Sequence, residues 1–267
     1  MFRLIDIELF KLKHSRSAKV MTILYFSLFL SAALLSTIKF SIGSIEFRLA
    51  DQGIYNFPFT WHFMSFMVAQ LKIILAIVIV SMMSSEYTNR TIKQNLIDGL
   101  SKKEFILSKF YVVVIYSLVS TIVLFLVVLT LGLIFSDYTE MQIVFRDLEY
   151  LVAYFIKLLG FFTLCMFLGL LVKRSAFALG FLLLLFISEL IIGHYIPIID
   201  NFTPLNAMWG LIEEPFTRFD AVQTAAKTLE ADILSDYSVK ITNIITVLAW
   251  TALFVFGSYK LLKKRDL

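Results

Sequence analysis

Six long apolar runs constrain the fold of this chain more than any other feature of its sequence. Each run is near the ~20 residues that an α-helix needs to cross the hydrocarbon core of a bilayer. The sequence therefore predicts an all-α, polytopic membrane protein with six transmembrane helices, at Val20–Ile38, Phe63–Met83, Phe110–Phe135, Tyr150–Val172, Ser175–Ile196 and Ile241–Tyr259.

The composition agrees with a protein that lives in lipid. Hydrophobic residues make up 59% of the chain and charged residues 16%, whereas a soluble domain carries about 25% charged residues. The single cysteine, Cys165, lies inside an apolar run, which excludes a disulfide framework and a thiol metal site. The three histidines show no ligand spacing, so we expect no metal and no cofactor.

No repeat or linker divides the chain, so residues 1–267 are interpreted as a single transmembrane domain. Residues 1–19 are predicted to form an interfacial helix, and Asp6 and Glu8 argue against a cleavable signal peptide. Residues 197–240 are predicted to be an extracytoplasmic loop. Within this loop Pro204 and Gly210 are expected breaks of a re-entrant segment, and Asp220–Tyr237 is expected to be a surface helix.

Basic residues set the predicted orientation. Sixteen of the 24 lysine and arginine residues lie in the segments that would be cytoplasmic, and six lie in the loops on the other side. By the positive-inside rule both termini are predicted to be cytoplasmic, in a multi-pass protein of the cell (inner) membrane. Because the positive charge follows the topology, it does not indicate nucleic-acid binding.

Residues 84–109 are the longest polar interval on the predicted cytoplasmic side. Gly99 interrupts a short apolar stripe, as a glycine past a helix end often does. Ser101 and Glu104 have the spacing of a capping box, so a second helix is predicted to start at Lys102 and to continue into the apolar run at Phe110. On pattern alone, an ordinary solvated loop is the simpler interpretation of this helix–break–helix elbow.

This interval resembles the cytoplasmic segment that follows the second transmembrane helix in permeases of ABC-2-type ABC transporters. The matching positions are Glu86, Thr91, Leu96, Gly99, Ser101-Lys102, Phe105 or Ile106, and Lys109. Gly99-Leu100 stands where the family usually has proline. The N-terminal E-x-x-K of such permeases is matched by Glu8 and Lys11, and the six-span layout agrees along the whole chain.

The resemblance implies a permease subunit that dimerises with a second copy or a homologous permease. It also implies separate P-loop ATPase subunits whose surface grips the Glu86–Lys109 elbow. The residues it assigns to this coupling are Glu86, Thr91, Asn95, Leu96, Gly99, Ser101, Lys102 and Phe105, with a minor contact at Lys173 and Arg174. Export of a lipid, peptide or drug-like substrate is the family tendency. The sequence contains no G-x-x-x-x-G-K-[ST] and no other catalytic motif, so we expect no enzymatic site of its own.

Three ionisable residues fall inside the predicted spans, where an unpaired charge is costly. Lys157 and Glu189 are at similar depth in successive spans, so we expect them to neutralise each other, while Lys72 has no acid at matching depth. These residues leave two alternatives open. One is a secondary transporter that couples ions or protons through Lys72, Lys157 and Glu189, and the other is a non-transporting membrane scaffold.

Overall fold

The structure, a computed structural model, describes residues 2–42, 45–89, 91–219, 222 and 237–265. These residues are mostly helical, and they include one antiparallel strand pair in which Phe40 pairs with Phe47. The predicted surface helix Asp220–Tyr237 lies outside the described residues except for Val222 and Tyr237. The helices and strands are α1 Phe2–His14, α2 Arg16–Leu35, β1 Phe40–Ile42, β2 Ile45–Phe47, α3 Phe59–Ala69, α4 Lys72–Thr88, α5 Thr91–Ile97, α6 Lys102–Phe135, α7 Met141–Val144, α8 Glu149–Val172, α9 Ser175–Tyr195, α10 Pro197–Asp200, α11 Pro204–Trp209 and α12 Ile241–Lys264.

The described residues contain five continuous helical segments that are long and apolar enough to span a membrane. A sixth candidate exists if α3 and α4, which meet at an angle of 45°, form one broken span. The all-α membrane fold is thus confirmed, but the single span predicted at Phe63–Met83 is wrong as a continuous helix. At the break the N–H groups of Gln70 and Leu71 bond three residues back, to Met67 and Val68, and such tight turns accompany helix kinks.

The N-terminal boundary also differs from the prediction. Ser15 ends α1 and caps α2, because its hydroxyl accepts a hydrogen bond from the Ala18 N–H at 3.3 Å. A serine at this position satisfies one of the free N–H groups of the first helical turn. The second helix therefore begins at Arg16 rather than at Val20, and its first turn carries basic residues.

Helix α8 is the centre of the fold, packed against α4, α6, α9 and α12. Gly169 allows one of these contacts to be close. A side chain there would place its Cβ 2.8 Å from the Met83 Cβ and 3.3 Å from the Val80 carbonyl oxygen. Only a residue without a side chain fits this crossing of α8 and α4.

Helix α6 joins the elbow to the membrane. Its 34 residues correspond to about 51 Å, whereas the hydrocarbon core is about 30 Å thick. The prediction that one helix runs from Lys102 through the apolar segment is confirmed. The elbow and the apolar part of α6 therefore share one continuous helix.

Candidate functional site

The elbow is built from α5, a glycine turn and the first turns of α6. The Leu100 N–H donates to the Asn95 carbonyl at 3.0 Å, and the Gly99 N–H donates to the Leu96 carbonyl at 3.2 Å. These two bonds form a Schellman motif, which needs a left-handed residue just past the helix end. Gly99 supplies it, with φ of 92°.

The second half of the elbow starts with the predicted capping box. The Ser101 hydroxyl accepts a hydrogen bond from the Glu104 N–H at 3.2 Å, and the Glu104 carboxylate accepts one from the Ser101 N–H at 2.9 Å. The prediction for this pair is confirmed, since both bonds of the motif are present. Both ends of the turn are thus fixed by local hydrogen bonds.

A cluster of four charges, of which Glu8, Glu86 and Lys109 are buried and Lys11 is partly exposed, lies directly behind the elbow. Lys109 is completely buried and donates to Glu8 at 2.5 Å and to Glu86. Lys11 donates to Glu86 at 3.0 Å and to Glu8 at 3.5 Å. Burial opposes the charge on Lys11, but the Glu8 and Glu86 carboxylates outweigh it and raise the pKa of this lysine. Two acids and two bases balance one another, as buried charges must.

This charge cluster, Glu8–Lys11–Glu86–Lys109, ties together α1, α4 and α6. Thr91, the first residue of α5, donates its hydroxyl hydrogen bond to Glu86 and attaches the elbow to the same point. The sequence places these residues in two separate motifs and does not show that they meet. Because Glu86 is only 3% exposed, its side chain positions the elbow and forms no part of the elbow's outer surface.

The outer surface of the elbow differs from the set of residues named for coupling. Phe105 is fully buried and lies 5.2 Å below the Lys109 ammonium, so it belongs to the interior. Asn95, Leu96 and Lys102 are half-buried. Ile97, which sequence reasoning missed, is 69% exposed. It is the last residue of α5, and an isoleucine at the end of a short helix within a polar interval is the available signal.

The turn between α8 and α9 lies on the same side of the molecule. Lys173 and Arg174 are exposed there, and the Lys173 ammonium lies 5.6 Å from the Tyr87 ring. Arg265, also missed by sequence reasoning, bonds the Tyr87 hydroxyl at 2.5 Å and the Leu170 carbonyl at 2.7 Å. A cation at the C-terminal end of α8 complements the helix dipole. The chain after α12 thus fastens this turn to α4.

The predicted pair of Lys157 and Glu189 is wrong, because α11 lies between them. The Glu189 carboxylate accepts hydrogen bonds of 2.9 Å from the N–H groups of Leu205 and Asn206, at the start of α11. The Lys157 ammonium donates to the Trp209 carbonyl at 3.4 Å, at its end. Each charge therefore stabilises the helix end whose dipole has the opposite sign. The predicted breaks at Pro204 and Gly210 bound this helix.

Lys72 occupies the first position of α4, at the helix break, and is 9% exposed. Its ammonium lies 4.7 Å from the Phe161 ring and 5.8 Å from the Trp209 ring. Among the residues that the structure describes, it has no ion pair and no hydrogen bond. The sequence prediction that Lys72 lacks an acid partner holds within that part of the chain.

A profile of the family described as "Protein of unknown function (DUF2705)" matches residues 20–267. No curated protein matches the chain.

Proposed function

The chain belongs to the DUF2705 family, and we propose that it is the membrane subunit of an ATP-driven transporter of the ABC-2 type. In this proposal two six-span copies, or one copy and a homologous permease, form the membrane part in the cell membrane. Separate P-loop ATPase subunits supply the energy. The chain itself hydrolyses no nucleotide, and the direction of transport is export.

The observation that carries this proposal is the combination of a rigid elbow and the charge cluster behind it. The elbow is capped at both sides of Gly99 and presents the exposed Ile97 outward. An exposed large apolar side chain on a polar segment is a feature of protein interaction sites. A partner that bound Ile97 would move the whole elbow, because the hydrogen bonds on both sides of Gly99 keep it rigid.

The charge cluster connects the elbow to the helices of the membrane bundle. Thr91 links α5 to Glu86 of α4, and Lys109 of α6 links Glu86 to Glu8 of α1. A displacement of the elbow is therefore shared by three helices. Rigid-body motion of helices driven by a partner is an established kind of conformational switch.

The alternative of an ion-coupled secondary transporter has less support. Two of its three candidate residues, Lys157 and Glu189, bond the backbone at opposite ends of α11. Charges engaged in this way stabilise the fold and are not free to bind and release ions. A membrane scaffold remains the alternative that the following experiment distinguishes.

The experiment first asks which neighbouring reading frame encodes a P-loop ATPase, then reconstitutes the chain with that ATPase and measures ATP hydrolysis. We expect the wild-type chain to change the ATPase rate, Ile97→Glu to abolish the effect, and Ile97→Leu, which keeps an apolar side chain, to preserve it. Unfolding temperatures of the two variants should match the wild type, because the Ile97 side chain is largely exposed. An unchanged effect in Ile97→Glu would contradict docking through the elbow. An ATPase rate that is the same with and without the chain would support the membrane scaffold.

A further inference from the structure

A cavity of about 710 Å³ lies at the break between α3 and α4, on the side that faces α9. Its volume is within the ~300–1,000 Å³ that is typical of small-molecule sites. Its walls are mainly leucine, isoleucine and aromatic side chains, with Gln70, Lys72 and Asn206 as the polar groups. Among the residues that the structure describes, the lining contains one positive charge and no acidic residue.

The apolar walls are open to the outside of the bundle. Leu183, Phe186 and Leu190 of α9 line the cavity and are also exposed. In a membrane such residues face the acyl chains of the lipid. A molecule with a hydrocarbon chain can therefore enter the cavity sideways from the bilayer.

The polar end of the cavity carries an uncompensated positive charge. Lys72 is nine-tenths buried, and within the described residues its ammonium has no ion pair and no hydrogen bond and lies over the rings of Phe161 and Trp209. Glu189, the acid on the adjacent α9, is occupied by the N–H groups of Leu205 and Asn206. A buried lysine without an acid is costly in lipid unless something else supplies the negative charge.

The helix break adds to this charge. Lys72 and Ile73, the first two residues of the 17-residue α4, both line the cavity. The N-terminal end of a helix carries partial positive charge and free N–H groups, which favour an anion. The break in the helix thus places two sources of positive potential at the same end of an apolar chamber.

We propose that this cavity binds a single-chain amphiphile with an anionic head group, a carboxylate or a phosphate, which Lys72 pairs while the chain lies against α9. Charge complementarity identifies the head group, and the apolar walls identify the tail. Binding does not depend on whether the chain is a permease. If the chain is one, this ligand class is its candidate cargo.

Trp209 lines the cavity and serves as the reporter. The full chain, reconstituted in phosphatidylcholine nanodiscs, is titrated with dibromostearate, whose bromine atoms quench tryptophan fluorescence on contact. We expect saturable quenching that disappears in Trp209→Phe, since the other two tryptophans, Trp61 and Trp250, are not among the lining residues. Dibromostearyl alcohol, which has the same tail without the charge, should bind at least about tenfold more weakly, as expected for loss of a charge-assisted hydrogen bond.

Variants test the role of the charge. Lys72→Met should weaken dibromostearate binding at least about tenfold and abolish the preference over the alcohol, while Lys72→Arg should keep both. Lys260→Met is the matched control, because it removes the same charge from the exposed surface of α12. Leu182→Phe, which narrows the cavity and leaves Lys72 in place, should weaken binding too, and it maintains the test if Lys72→Met does not fold.

Four outcomes would overturn the proposal. The first is equal quenching by the acid and the alcohol. The second is unchanged affinity in both Lys72→Met and Leu182→Phe. The third is equal quenching of Trp209 by phosphatidylcholine with brominated chains, which would show that ordinary bilayer lipid fills the cavity. Stronger binding of brominated phosphatidic acid than of dibromostearate would also overturn it, because that ligand has two chains.

Discussion

Replacing Lys109 by methionine should destabilise the protein strongly, because it leaves two buried carboxylates with one remaining base. Lys109 is fully buried between Glu8 and Glu86. Removal of one partner from a buried ion pair costs about 3–5 kcal/mol. Lys11 remains 3.0 Å from Glu86 and offsets part of the loss, so we expect a value of about 3 kcal/mol. At about 2–4 °C per kcal/mol, the unfolding temperature should fall on the order of 10 °C.

The assay is thermal unfolding of the detergent-purified protein, followed through a double-mutant cycle with Glu86→Gln. The double variant keeps Glu8 and Lys11 as a balanced pair, so it should recover much of the stability, with a coupling energy of at least about 1 kcal/mol. Lys103→Met, an exposed lysine on the same helix, is the control and should unfold as the wild type does. If the losses of the two single variants simply add, the reasoning about the charge cluster is refuted.

Three further changes probe other parts of the account. Combining Lys157→Met with Glu189→Gln should not restore the stability lost in either single variant, because each residue binds a different end of α11, and recovery in a thermal-unfolding cycle would show that they are a pair after all. Gly169→Val should sharply reduce the yield of folded protein on size-exclusion chromatography, since its Cβ would meet Met83 at 2.8 Å, and a normal elution profile would refute the close crossing. Gly99→Ala should reduce ATPase coupling while lowering stability by about 1–2 kcal/mol at φ of 92°, and a variant with full coupling would show that the turn need not be rigid.

Much of the fold could be predicted from local signals. The length of an apolar run identifies a membrane helix because the thickness of the bilayer sets the length that a spanning helix needs. Five of the six runs are continuous helices. The capping box at Ser101 and the break at Gly99 were predictable because neighbouring residues make both motifs. The kink between α3 and α4 was not, since no proline or glycine occurs at Gln70-Leu71 to mark it.

The candidate site was predictable in part. The resemblance brought forward Glu8, Lys11, Glu86 and Lys109, but no periodicity shows that residues about a hundred positions apart share one charge cluster. Matching depth along two helices suggested the wrong partners for Lys157 and Glu189. Depth ignores a short helix that enters between them, and free N–H and carbonyl groups at its ends compete successfully for the two charges.

Photo-crosslinking from Ile97 tests the central claim most directly. Cys165 is the sole cysteine and is buried, so a Cys165→Ser background carrying Ile97→Cys or Glu213→Cys can be labelled with a benzophenone maleimide in membranes that contain the P-loop ATPase. We predict that position 97 is labelled only from the cytoplasmic side and forms a crosslinked adduct with the ATPase. Position 213 should be labelled only from outside and should form no adduct with the ATPase. Labelled position 97 that forms no ATPase adduct, or labelling of position 213 from the cytoplasm, would contradict the account.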